Sequence, residues 1–162
     1  MDAYIGQIQL FAFGFAPYGW MQCSGQTLQI LAYQALYSLI GTKFGGDGKT
    51  TFMLPNLTGC EPNPNSCYYI ATMGLYPSRG WDMEYTIGCI VMFPYSFVPM
   101  DWLLCDGRTV SISTYTTLFS VIGTRYGGDG VSNFKLPDLR TSNPSDYINY
   151  FIAYNGIYPQ RS

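Results

Sequence analysis

The amino-acid sequence predicts a mainly β protein with one short helix per repeat, built as two tandem modules packed together. Three observations carry that prediction. Residues 5–79 align with residues 87–161 at a constant offset of 82 without a gap, and 33 of the 75 pairs are identical. Near the start of each copy the residues have strand character, whereas one stretch per copy has helical spacing. The 18 glycines and 10 prolines supply the turns that many short strands need.

The repeat sets the domain organisation. Its strongest blocks pair Ile5-Gly6 with Ile87-Gly88, Trp20 and Cys23 with Trp102 and Cys105, and Gly45-Gly46-Asp47-Gly48 with Gly127-Gly128-Asp129-Gly130. Leu54-Pro55 and Tyr76-Pro77 recur as Leu136-Pro137 and Tyr158-Pro159. Residues 1–80 therefore form repeat one, 81–86 a linker and 87–162 repeat two. A linker this short holds the modules close.

Each element follows in order. Gln7-Ile8-Gln9-Leu10-Phe11 alternates as a half-buried strand should, and Pro17 with Gly19 turns the chain. Trp20 to Gln29 reads as a hairpin with Ser24-Gly25 at its tip, written Asp106-Gly107 in the second copy. Trp20, Cys23, Trp102 and Cys105 are its expected core. A helix is expected from about Ala32 to Ile40, with Leu36, Leu39 and Ile40 on one face and Gly41 ending it. In the second copy Ser113 is expected to cap the helix and Gly123 to end it. Strands are expected again at Tyr68 to Thr72 and Tyr150 to Tyr154.

Composition narrows the function. Charged residues make up 11% of the chain and aromatic ones 17%, so few charges must cover much apolar surface, which points to self-association, the alternative being a compact monomer whose Tyr hydroxyls and backbone supply the polar surface. With a net charge of -2 and no Lys or Arg cluster, the chain lacks the electrostatic footprint that nucleic acid demands. The apolar run Ile5 to Ala16 is broken by Gln7 and Gln9 and is too short for a membrane span. The acidic start Met1-Asp2-Ala3-Tyr4 is not a recognisable signal peptide.

Candidate chemistry is sparse. Gly48-Lys49-Thr50 matches the tail of a phosphate loop, but the required first glycine falls on Lys43, and the second copy has Val131-Ser132 in place of the Lys and Thr. The two Gly-Gly-Asp-Gly segments are expected instead to be structural loops, with Asp47 and Asp129 bonding local backbone. Neither aspartate has the neighbouring carboxylates that calcium or paired acid-base catalysis needs. No metal site, no cofactor and no enzymatic activity are expected. Cys60 and Cys67 bracket a turn-rich insert and are both absent from the second copy, where Ser142 and Asn149 stand, so they form a disulfide candidate. Cys89 is left as a possible interchain thiol, and Asn56-Leu57-Thr58 is a formal glycosylation sequon.

The run from Phe15 to Gln26, Phe-Ala-Pro-Tyr-Gly-Trp-Met-Gln-Cys-Ser-Gly-Gln, is followed by Ala35 to Gly48 and then Phe52-Met53-Leu54-Pro55-Asn56-Leu57. These residues resemble the phage tail-collar and microcystin-dependent protein family, and the resemblance extends over nearly the whole chain, twice. It implies two collar-like β-rich modules and a place in a phage tail fibre or a related extracellular fibre, with roles in assembly and surface attachment. It brings no catalytic residues. Histidine-held metal, known in some relatives, is excluded by the absence of His. The expected partner is the chain itself, in a homopolymer joined head to tail through repeat-to-repeat contacts. The alternative is a discrete oligomer whose Tyr and Trp side chains form an adhesion platform for a cell-surface glycan or receptor.

Overall fold

The computed structural model describes residues 3–77 and 85–161, so residues 81–84 of the expected linker lie outside the described residues. The chain divides into two compact units. Unit one comprises Met1–Pro77 with Met92–Ser96 and Pro144–Ile148. Unit two comprises Ser78–Val91, Phe97–Asn143 and Asn149–Ser162. The architecture is mainly β, with one short α-helix in each.

In unit one, β5 (Cys67–Ala71) runs between β1 (Ile8–Phe11) and β2 (Trp20–Gln22), antiparallel to both. Tyr68, Tyr69, Ile70 and Ala71 are all buried, as a strand covered on both faces requires. On its other side β1 meets Met92 of β6 (Ile90–Phe93), antiparallel, through Ile8. A second ribbon pairs β3 (Thr27–Gln29) with β4 (Thr51–Met53). Between them lie a 3-10 turn at Ile30–Ala32 and α1 (Gln34–Ile40).

Helix α1 buries Leu36, Leu39 and Ile40, the face that their spacing marks. Gly41 ends it at φ 57°, donating its N–H to Tyr37 O. Burying side chains of this size contributes about 1.5–3 kcal/mol each, which lets a seven-residue helix persist where an isolated one would not.

Unit two repeats the plan. Strand β7 (Trp102–Leu104) pairs with β10 (Asn149–Ala153), β8 (Thr109–Ser111) pairs with β9 (Asn133–Lys135), and α2 (Thr116–Ile122) lies between β8 and β9 in sequence. Its core gathers Ile87, Leu103, Cys105, Leu118, Phe134, Leu136 and Ile152. The equivalent positions in unit one are Ile5, Met21, Cys23, Leu36, Phe52, Leu54 and Ile70, buried except for the half-buried Met21.

Three expectations are corrected. Trp20 to Gln29 is not a hairpin, because β2 pairs with β5 and β3 with β4; the second copy likewise sends β7 to β10 and β8 to β9. A tight two-residue hairpin turn of the expected kind needs positive φ at both central residues, and here Gly25 and Gly107 have it while Ser24 and Asp106 do not. The turn carries the chain from one sheet to the other. Ser113 does not cap α2: Tyr115 holds the N-cap position without a side-chain bond, and the Ser113 hydroxyl lies 2.8 Å from that of Ser111. The strands expected at Tyr68 and Tyr150 each begin and end one residue earlier.

The two ends of each copy meet. Tyr4 and Leu75 form a parallel bridge, as do Thr86 and Ile157. Leu75 donates its N–H to Ala3 O at 2.9 Å and Ile157 donates to Tyr85 O at 2.8 Å. A Cβ on Gly74 or Gly156 would run into those same carbonyl oxygens, so both positions require glycine.

Candidate functional site

The Gly-Gly-Asp-Gly loops are organised by their aspartates. Asp47 Oδ1 accepts the backbone N–H groups of Lys49, Thr50 and Thr51, each at 2.8 Å, while Oδ2 accepts the Thr50 hydroxyl at 2.9 Å. Asp129 repeats the arrangement with Val131, Ser132 and Asn133, and with the Ser132 hydroxyl. The backbone bonds, from Thr51 and Asn133 foremost, hold both carboxyls far below the usual carboxylate range. Each carboxylate is thereby tied into its own loop. Among the described residues no three His, Cys, Asp or Glu side chains come together as a metal site would require.

Gly45, Gly46 and Gly48 have positive φ, as do Gly127, Gly128 and Gly130. At Gly46 the reason is close approach as well as φ of 98°: a Cβ there would lie 2.7 Å from Thr51 O and nearer still to Phe52 Cα. Gly128 stands in the same relation to Phe134. The loops thereby sit directly on the strand that carries each buried phenylalanine.

The cysteines have separate surroundings. All five are free thiols, so the expected Cys60–Cys67 bond is not formed in this structure. Cys60 is exposed and its thiol donates to Pro144 O at 3.8 Å, whereas Cys67 is held in the strand register opposite Phe11. Burial pushes the Cys23 thiol far above the ordinary range and the Cys89 thiol up to about 11. Burial, with the adjacent Asp106 charge adding to it, takes Cys105 up to about 12. Cys89 is half-buried, and its thiol stays protonated at neutral pH, which slows its reaction with another thiol or disulfide.

Trp20 and Trp102 occupy equivalent strand positions with different surroundings. Trp102 is buried at 1% exposure and meets Tyr85 edge to face, with ring centroids 5.1 Å apart. Trp20 is half-buried and meets Phe11 edge to face at 5.3 Å. Phe11 in turn stacks on Phe13 and Phe13 on Phe15, with centroids 4.9 and 4.7 Å apart, giving a row of three rings that ends at the exposed Phe15. The Tyr69 hydroxyl donates to Phe13 O at 3.2 Å and fixes the middle of that row.

Beside Trp20 lies a cleft of about 350 Å³, lined with it by Ala3, Tyr18, Gly19, Met73, Gly74 and Leu75. Its residues come from three separate stretches, and no local motif marks them. Unit two carries a feature equally silent in the sequence: Arg108 pairs with Asp106 and Arg140 with Asp138, each at 2.7 Å, where unit one has Gln26, Ser24, Thr58 and Asn56. The Arg140 hydrogen bonds bring the Asp138 carboxyl down to about 2.

No helix among the described residues is long and apolar enough to cross a membrane. The sequence profile of the Phage Tail Collar Domain matches residues 6–62 and again residues 88–144. Short tail fiber protein gp12 of Enterobacteria phage T4 is 45% identical over 60 residues, which is 36% of this chain and 11% of that protein. The chain thus matches only about a tenth of that relative's length. Two matches in register with the internal repeat, together spanning more than half the chain, show that it belongs to the Phage Tail Collar Domain family as a tandem pair of collar domains.

Proposed function

We propose that the chain is a structural subunit of a phage tail fibre or of a similar extracellular fibre, acting by association with copies of itself and not by catalysis. The observation that carries this reading is the double match to the collar family, supported by the name of the T4 relative. The surface suits the role. Tyr18 is 91% exposed and lines one cleft with the exposed Met73, Phe15 three residues earlier is 67% exposed, and contiguous solvent-facing apolar groups mark protein contact sites.

The head-to-tail series expected from the sequence would draw on such exposed surface, the Phe15 and Tyr18 region included.

The test is sedimentation and electron microscopy of the purified chain across a concentration series, with and without reductant. Particles larger than one chain that grow with concentration are expected. A single-chain species throughout would overturn the reading. Regular filaments would support the head-to-tail arrangement, and their loss in reductant would implicate an interchain disulfide, through Cys89 or through the exposed Cys60.

The adhesion reading, in which the chain grips a cell-surface glycan or receptor, is favoured by one observation: the cleft beside Trp20 presents aromatic and thioether side chains to solvent.

A further inference from the structure

The internal duplication supplies a comparison for the cleft of unit one. Its lining residue Ala3 and residue 85 are equivalent by backbone bonding as well as by the offset of 82. Each carbonyl accepts the N–H of the equivalent residue, Leu75 or Ile157, and each faces an equivalent glycine, Gly74 or Gly156. In unit two that position is Tyr85. Its ring meets Trp102 edge to face, at 5.1 Å and 74°, and the tryptophan is sealed from solvent. In unit one the side chain stops at Cβ. Trp20 stays half-buried, and a cleft of about 350 Å³ stands beside it, within the range of small-ligand sites, which begins near about 300 Å³.

We propose that this cleft is a socket for a phenolic ring, supplied by a tyrosine side chain of another polypeptide. The occupant is argued from the second copy, in which the same framework closes over a tyrosine. The chemistry of the walls agrees. The cleft is lined by the Trp20 indole, whose π-system suits the electropositive edge of a phenol, and by Met73, whose thioether is a polarisable partner for an aromatic ring. Because the backbone at Ala3 is already bonded to Leu75, the ring enters from solvent as the tip of a loop or tail, and no strand need be displaced. The inference is independent of the structural role proposed above, since a fibre subunit and a discrete adhesin can each carry such a socket.

The test is a titration with N-acetyl-tyrosinamide followed by NMR, reading the Trp20 indole N–H and the Gly19 and Gly74 amides, with methyl glucoside as a parallel probe. Saturable shifts confined to these groups are expected with the tyrosine probe and not with the glycoside. Ala3→Tyr fills the socket from within and is expected to weaken binding at least about tenfold. Tyr85→Ala opens the second copy and is expected to add a second responding set at Trp102 and Gly156. Absence of any shift up to the solubility of the probe overturns the proposal, as does a response to the glycoside alone. Undiminished binding by Ala3→Tyr overturns it too. Should that variant not fold, failure of Tyr85→Ala to gain the second set is decisive in the same direction.

Discussion

Replacing Gly46 by alanine tests the account of the Gly-Gly-Asp-Gly loop most directly. At φ 98° an L side chain costs about 1–2 kcal/mol in backbone strain alone. The added Cβ would also lie 2.7 Å from Thr51 O and 2.9 Å from Phe52 N, distances that no rotamer change relieves because both atoms are backbone. The loop has to lift from β4, which puts at risk the bonds from Met53 N–H to Gly45 O at 3.1 Å and from Gly48 N–H to Thr51 O at 3.0 Å. Two such bonds are worth about 2 kcal/mol together. A loss of about 3–4 kcal/mol follows, a large share of a typical stability of about 5–15 kcal/mol. Gly59→Ala is the control, since φ there is 89° with nothing within 4 Å of the added methyl, and it is expected to lose only the strain contribution of about 1–2 kcal/mol. Urea unfolding of both variants beside the parent reads the difference. If Gly46→Ala is no less stable than Gly59→Ala, close approach is not what requires the glycine and the reasoning fails.

Four further outcomes are expected. Leu118→Ala, which empties a fully buried site between α2 and Phe134, should cost about 2–5 kcal/mol in the same assay. Asp47→Ala should lower the melting temperature more than Asp47→Asn, because the amide oxygen can still accept the backbone N–H groups of Lys49, Thr50 and Thr51. Acid should destabilise the protein in a defined window. Asp47, Asp129, Asp106 and Asp138 all have folded-state values below the ordinary 3.8, so their contribution is complete above about pH 5 and lost as pH falls from there through about 2, the value of Asp138. A melting series in that range checks this, and an undiminished melting temperature at pH 2.5 would contradict it. Thiol labelling of the native chain should modify exposed Cys60 first, whereas Cys23 and Cys105 should react only on unfolding; a Cys60 that resists labelling until reductant is added would instead mean that it is bonded.

Much of this fold was legible because its signals are local. The spacing of Leu36, Leu39 and Ile40 ahead of Gly41 specifies a helix face and its stop within one stretch of chain, and α1 has that face and that stop. The repeat made every such inference twice over. Strand partnership was not local. Ser24-Gly25 marks a turn but not whether the flanking strands bond each other, and β2 finds β5 some fifty residues on because buried Tyr69 and Ile70 offer it a covered face. Ser113 failed as a cap because a 3.1 Å bond from Ile112 N–H to Ser132 O and the Ser111 hydroxyl hold its surroundings in another conformation. The donors to the Asp47 carboxylate were legible in kind, as backbone groups of the same loop. The cleft was not, since Ala3, Tyr18 and Met73 are unremarkable alone and acquire meaning only when Ala3 is set against Tyr85.

The parallel bridge that joins the two ends of each copy bears on mechanics. Pulling a collar domain by its ends draws residue 3 backward along one segment and residue 77 forward along the other. Because Tyr4 and Leu75 run parallel, that load acts along the direction of the segments. The hydrogen bonds from Ile5 to Leu75, from Leu75 to Ala3 and from Gly6 to Ala71 then carry it together and do not peel one at a time. The second copy has the same three bonds, from Ile87, Ile157 and Gly88. Each domain is thus fastened at its two ends by a clasp that is loaded in shear whenever the domain is pulled by those ends.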